Sequence, residues 1–320
     1  MNGRTMNMRA AILVMIASVV ALSACARKPQ EFDSPEAAAQ AMVEAAKSDG
    51  NSALLKLFGK DGEPLVDSGD EVADKNARAR FLERYAEANS LDKSAPESAI
   101  LEVGADKWPF PVPIVSEGGK WHFDTPTGVD ELVNRRVGAN ELSTIQSCLA
   151  YVDAQREYYM RNPESSSLLH YAGRLISTAD KKDGLYWPAG ENDEQSPLGE
   201  GFAKARAEGY AKEGTMSGEP FHGYIYRLLT RQGPNAHGGA YDYVVNDQLL
   251  GGFAAIAFPA DYGNSGVMTF MVSHDGVVYS KDLGPETAKL ALAVDSFDPG
   301  SDWKKEEPES LIVTGTAATN

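Results

Sequence analysis

The stretch Ala139–Arg161, ANELSTIQSCLAYVDAQREYYMR, carries the longest unbroken helical pattern beyond the N-terminal apolar run. No Gly or Pro interrupts it, and Leu142, Ile145, Leu149, Val152 and Tyr159 fall three, four, three and seven residues apart. Those spacings put the five on one helix face. Cys148, Tyr151 and Tyr158 flank the stripe and widen it. Asn140 suits the N-cap, Glu141 lies in the first turn where a negative charge favours the helix dipole, and Arg156 and Arg161 serve the other end. An α+β pattern precedes the stretch; two short helices and several strands follow it. The predicted fold class is α+β, with this helix as the spine of a second domain.

Outward from that helix, 320 residues are enough for about two domains. Hydrophobic content of 42% against 24% charged residues supplies real cores. A formal charge of -16 argues against a nucleic-acid partner, because little here neutralises phosphates. At the N-terminus, Arg4 and Arg9 precede the uncharged run Ala10–Leu22, AAILVMIASVVAL, which has the size of a signal h-region. It ends in Leu22-Ser23-Ala24-Cys25, which resembles the lipobox of bacterial lipoprotein signals. That resemblance implies cleavage before Cys25 and a lipid anchor on its thiol, strong enough to hold the chain to a membrane. Ala26 is not the Asp associated with inner-membrane retention, so the expected address is the outer membrane, facing the periplasm. Cys148 is the other cysteine of the chain, so acylation of Cys25 leaves no intramolecular disulfide. On the helix flank, Cys148 reads as a small buried apolar residue.

The predicted organisation is a signal peptide at 1–24, a tether at 25–31, an α+β domain at 32–136, a helix-plus-sheet domain at 137–298 and a disordered tail at 299–320. In the first domain, Ser34 and Pro35 open a helix through Ala46, Asn51–Phe58 forms a second, and Asp74–Asn89 a third. Ser98–Gly104 is strand-like, and the proline-rich run Trp108–Val115 suggests an edge strand. Glu117-Gly118-Gly119-Lys120 turns the chain into the return strand Trp121–Asp124. Gly128–Arg136 reads as a charged connector, a short helix leading into the central one. Beyond the central helix, Leu168–Ile176 and the segment opened by Ser196-Pro197 are predicted helices. Strand signals dominate from Phe221, Asp275-Gly276 makes a hairpin turn, and Pro285–Val294 closes the domain as a helix.

No metal or cofactor motif appears. His122, His170, His222, His237 and His274 show no i, i+4 pairing, and neither HExxH nor CxxC occurs. No P-loop, dinucleotide fingerprint or GxSxG is present, and the glycines stand at turns. Tyr186 and Trp187, beside the acidic loop Gly190–Gln195, are either a stacking surface for a glycan or protein partner or a plug buried in the domain. His222 and His237 lie in glycine-flanked loops; with Asp242 they complete the candidate surface.

The segments Asp183–Pro188 (DGLYWP), Pro220–Asn246 (PFHGYIYRLLTRQGPNAHGGAYDYVVN) and Gly251–Gly284 (GGFAAIAFPADYGNSGVMTFMVSHDGVVYSKDLG) resemble the bacterial domain-of-unknown-function family 2950. NRRVGANEL and SGDEVADKNARARF share that likeness, which carries no assigned activity. The first domain is similar in pattern to NTF2/cystatin-like modules. The region Asn140–Gly284 is similar to type IV pilin-like and pseudopilin proteins, which implies a long helix packed on an antiparallel sheet. Filament assembly is not expected, because Asp130, Glu131, Arg135 and Arg136 enter the helix where pilins are apolar. The expectation is a non-catalytic cell-envelope lipoprotein with a binding or assembly role and no cofactor. An envelope hydrolase acting on cell-wall or glycan material is the alternative, to be marked by a cleft joining two of His222, His237 and Asp242.

Overall fold

Asp124 opens the longest element of the chain. Its carboxylate caps helix α5, Thr125–Arg161, by accepting the Thr127 N–H, and Pro126 sits in the first turn, where a missing N–H costs nothing. The computed structural model describes residues 28–190, 193–201, 205, 208, 210 and 220–307. The expected signal segment, Cys25, part of the acidic loop, much of the segment opened by Ser196-Pro197 and the end of the expected tail lie outside the described residues. Helix α5 begins well before Ala139. The connector Gly128–Arg136 is helical as expected, but it is continuous with the central helix, so the expected domain boundary at 136/137 falls inside the helix and Asn140 is not its cap. Gly138 misled the reading: a lone glycine weakens a helix by only about 1 kcal/mol, which packing at both ends of α5 readily offsets.

The N-terminal lobe holds α1 (Pro35–Lys47), α2 (Ser52–Phe58), α3 (Glu63–Val66) and α4 (Glu71–Glu87). The Ser34 hydroxyl caps α1 by accepting the Ala37 N–H at 3.1 Å. An antiparallel sheet follows: β1 (Asn89–Ala95), β2 (Ser98–Val103), β3 (Trp108–Pro109), β4 (Ile114–Glu117) and β5 (Lys120–Phe123). Its order is β1-β2-β4-β5, with β3 also paired to β2. Ala99, Leu101 and Val103 alternate inward from β2 onto α1 and α2, and the rings of Phe58 and Phe123 meet edge-on at 5.3 Å. The proline-rich run divides in two: β3, which contains Pro109, pairs with β2 alone and is an edge strand as expected, whereas β4, which follows Pro111 and Pro113, lies between β2 and β5.

The C-terminal lobe contains the parallel pair β6 (Arg174–Ile176) and β7 (Gly184–Tyr186) and two short antiparallel pairs. These are β9 (Arg231–Gln232) with β10 (Tyr241–Asp242), and β11 (Val244–Val245) with β12 (Gln248–Leu249). Its main sheet joins β8 (Tyr224–Leu229), β13 (Ala254–Pro259), β14 (Met268–Ser273), β15 (Val278–Asp282) and β16 (Lys304–Lys305) in the antiparallel order β16-β15-β14-β13-β8. Every residue of β13 is buried, because both faces of the sheet are covered. Ala255, Ala257, Phe270 and Val272 face α5, while Ile256, Phe258 and Met271 face Phe297 and the helix α6 (Thr287–Ala293). That explains the near-continuous apolar reading of this strand.

The buried face of α5 is rotated from the expected stripe. Ile145, Cys148, Tyr151, Val152, Gln155 and Tyr158 form it, whereas Leu142, Leu149 and Tyr159 sit half-buried at its edge. Gln155 also explains why Leu168–Ile176 is not a helix. Its amide donates to the Ala172 carbonyl at 2.9 Å and accepts the Ala172 N–H at 2.9 Å, taking both backbone groups a helix would use internally.

Candidate functional site

The chemistry-bearing feature of this chain lies in the N-terminal lobe. Phe81 is the buried residue of helix α4, and the small Ala73 and Ala77 beside it leave space at the cavity, Ala77 at its exposed mouth. Ala73, Asp74, Ala77, Arg78, Arg80, Phe81 and Arg84 recur at helical spacing and line one cavity of about 330 Å³. Its floor is apolar: Met42 and Ala46 of α1, Leu54 and Phe58 of α2, Val103 of β2, and Phe110 and Val112 before β4. Leu132, Arg135, Arg136 and Ala139 of α5 close the far side. Gly128 lets α5 approach that floor, since a Cβ there would stand 2.6 Å from Val112 Cγ2.

Five arginines thus gather on one cavity in a chain of charge -16. Arg84 pairs with Asp106 and Arg135 with Glu131, and their guanidinium carbons stand 5.8 Å and 5.7 Å from the Trp108 ring centroid. Arg136 donates to the Pro64 carbonyl at 2.9 Å and to the Asn264 side chain. Burial pulls its pKa down against the opposing pull of Asp74, Asp67 and Asp261. Burial likewise pushes the Asp74 carboxyl up, although Asp74 accepts the Ser68 N–H at 3.0 Å. Both shifts have desolvation as the largest cause, so neither ion is fully repaid by its neighbours. Arg78 donates to the Gly50 carbonyl at 3.1 Å. Among the described residues neither Arg78 nor Arg80 has a carboxylate within ion-pair distance, and the buried Arg84 Nε–H has no acceptor.

The cavity touches the seam between the lobes. Arg136 and Asn140 line it, and the Asn140 amide donates to the Ser265 carbonyl at 2.8 Å. The next residue, Glu141, accepts the N–H groups of Val267 and Met268 at 3.0 Å each. The side chains expected to cap α5 instead bind the turn before β14.

The residues expected to form a surface do not gather. Trp187 is 5% exposed, its indole N–H donates to the Glu194 carbonyl at 3.0 Å, and Lys182 stands 5.3 Å from its ring centroid. It is a plug in the core, and Tyr186 beside it is half-buried at the end of β7. His222 has a φ of +49° and lies 3.5 Å from Glu208 among the rings of Tyr210 and Phe221. His237 is 91% exposed, 4.0 Å from Asp275, and Asp242 is 73% exposed, 3.6 Å from Arg231. Strand β8 separates His222 from the other two, about 20 Å at the rise of a strand. A second cavity of about 320 Å³, beside α5, includes His222, Tyr226 and Cys148 in its lining. Burial pushes the Cys148 thiol up to about 12, which removes it as a nucleophile near neutral pH. Among the described residues no group of three or more His, Cys, Asp or Glu is placed to hold a metal ion, and no helix is long and apolar enough to cross a membrane.

The arginine-rimmed cavity escaped the sequence reading, which weighed histidines and aromatics. The readable signal was Arg78, Arg80 and Arg84 beside Arg135-Arg136 in an acidic chain.

Fold and site together define an α+β protein of two lobes threaded by one helix, with a cavity in the first. The chain belongs to the family described as Protein of unknown function (DUF2950), whose model matches residues 29–306. No curated protein and no solved structure matches it.

Proposed function

We propose that this chain is a non-catalytic lipoprotein of the bacterial cell envelope, anchored through Cys25, that binds a small apolar ligand in the cavity of its N-terminal lobe. The observation that carries this reading is the cavity itself. It is concave, apolar at its floor and polar at its rim, and at about 330 Å³ it falls at the lower end of the range typical of ligand sites. The signal-like run before Cys25 supports the anchor and an outer-membrane address facing the periplasm. The hydrolase alternative finds no support in the geometry, since His222 lies a strand length from His237 and Asp242. The C-terminal lobe, with its helix-on-sheet layout likened to pilins, serves as a scaffold and does not assemble into filaments.

Two measurements test this. Intact-mass analysis of membrane-extracted protein should show a chain beginning at Cys25 with added acyl mass, and Cys25→Ala should abolish both the mass and the membrane association. A neutral apolar dye such as N-phenyl-1-naphthylamine should brighten on mixing with the protein. Ala77→Trp, which fills the cavity mouth from an exposed position on α4, should suppress that signal. Equal brightening of wild type and variant would place the dye elsewhere and defeat the binding reading.

A further inference from the structure

We infer that the ligand is a single-chain amphiphile with an anionic oxygen head, a carboxylate or a phosphate monoester, its tail on the apolar floor and its head on the arginines of α4. This rests on the binding reading above and adds the ligand's chemistry. The floor presents Met42, Leu54, Phe58, Phe81 and Val112, none with a polar side-chain atom, so it selects an alkyl chain over a sugar. At roughly 30 Å³ for each water-sized unit, the volume takes a chain on the order of ten carbons.

The head is assigned by donors that the protein leaves unmatched. Arg135 and Arg136 are committed to Glu131, Asn264 and Pro64. Arg80 has no carboxylate partner among the described residues, Arg78 spends one donor on the Gly50 carbonyl and has no carboxylate partner either, and the Arg84 Nε–H is buried without an acceptor although its Nη2 pairs with Asp106. A buried donor left without a partner is costly, and an anion beside it would satisfy it. Guanidinium forks match carboxylate and phosphate oxygens with two parallel hydrogen bonds, which a neutral head cannot use and a cationic head opposes. An overall charge of -16 repels anions from most of the surface, so these arginines are where an anionic head finds favourable potential.

The test is calorimetric titration of the mature chain carrying Cys25→Ser, so that its own acyl groups do not compete. The probes are decanoate, decyl phosphate, decyl maltoside and decyltrimethylammonium, each below its micelle concentration, and inorganic phosphate. Both anionic amphiphiles should bind about tenfold more tightly than the maltoside, and the ammonium and the free phosphate should not bind measurably. The tighter of the two anions names the head. Replacing Arg78 and Arg80 together by Gln should remove the anionic preference and leave maltoside affinity unchanged; both residues lie on the rim, so the fold is retained. Equal binding of anionic and cationic heads, or a preference that survives the double replacement, overturns the assignment. If the neutral dye still reports the cavity in that case, the binding reading stands and only the ligand class falls.

Discussion

Asp70 and Gly223 meet across the two lobes. The buried Asp70 Oδ2 accepts the Gly223 N–H at 3.0 Å and the Tyr210 hydroxyl at 2.8 Å, while Oδ1 caps α4 through the Ala73 N–H at 3.0 Å. One side chain therefore starts the helix that walls the cavity and ties it to the C-terminal lobe. Asn76, one turn on, donates to the Glu208 carbonyl at 2.7 Å, and Asn264 donates to the Asp67 carbonyl at 2.9 Å. Together with the α5 contacts of Arg136, Asn140 and Glu141, these bonds make a polar seam instead of a flexible linker.

Asp70→Ala should cost about 2–4 kcal/mol, combining a lost cap with lost bonds to a buried carboxylate. Asp70→Asn, which keeps one acceptor oxygen, should cost less. Urea denaturation checks both; a change under about 0.5 kcal/mol for the alanine variant would mean the seam does not form in solution.

Asp74 should give stability an unusual pH dependence. Its folded pKa is raised, chiefly by burial, above the ordinary 3.8 of the unfolded chain. The folded state then holds the proton more tightly, so the contribution is favourable at low pH and is lost as pH rises from 3.8 through the folded value. Asp74→Asn removes that loss and retains an acceptor for Ser68. The stability of this variant relative to wild type should therefore be greater at pH 7 than at pH 4. A difference that is flat, or that shrinks with pH, would show that attraction to Arg136 outweighs desolvation.

Cys148 should be silent to thiol reagents. With its pKa pushed up to about 12 by burial, roughly one molecule in 10⁴ is thiolate at pH 8. Iodoacetamide should leave Cys148 unmodified in the folded Cys25→Ser chain and label it fully in guanidinium. Rapid native labelling would mean that the second cavity opens to solvent.

Much of the architecture was legible from local pattern, and the failures have physical causes. Asp275-Gly276 forms the predicted turn, with Gly276 at a φ of +76°, because a tight turn needs a residue that tolerates the left-handed region. Strand β1 was missed because NSLDKSA is exposed along nearly its whole length and shows no apolar alternation. The rotation of the α5 face followed from giving Leu142 and Leu149 more weight than Thr144 and Gln155. Both polar residues are fully buried because their polar atoms are satisfied: Thr144 within the helix by the Asn140 carbonyl at 2.8 Å, and Gln155 by Ala172 of the segment that follows it. The cavity is space left between α1, α2, α4, α5 and the sheet. No periodicity in one segment encodes a volume that several elements leave unfilled.

The continuity of α5 is tested by its two inner glycines, which should respond in opposite senses. Gly138 has nothing within 4 Å of the place a Cβ would occupy, so Gly138→Ala gains helix propensity without strain. That is about 0.5–1 kcal/mol of added stability if the helix runs through this point. Gly128 lies in the same helix, where a Cβ would stand 2.6, 2.7 and 2.9 Å from three atoms of Val112. Val112 is itself buried against the sheet and has no room to retreat. The overpacking cost of about 1–3 kcal/mol exceeds the propensity gain, so Gly128→Ala should destabilise, and Val112→Ala, which removes the two closer of the three atoms, should rescue part of the loss. Thermal melts of the three variants and the double mutant decide the matter. If Gly138→Ala destabilises instead, the chain breaks near residue 138, and the seam has to be held by the Asp70 contacts without a continuous helix.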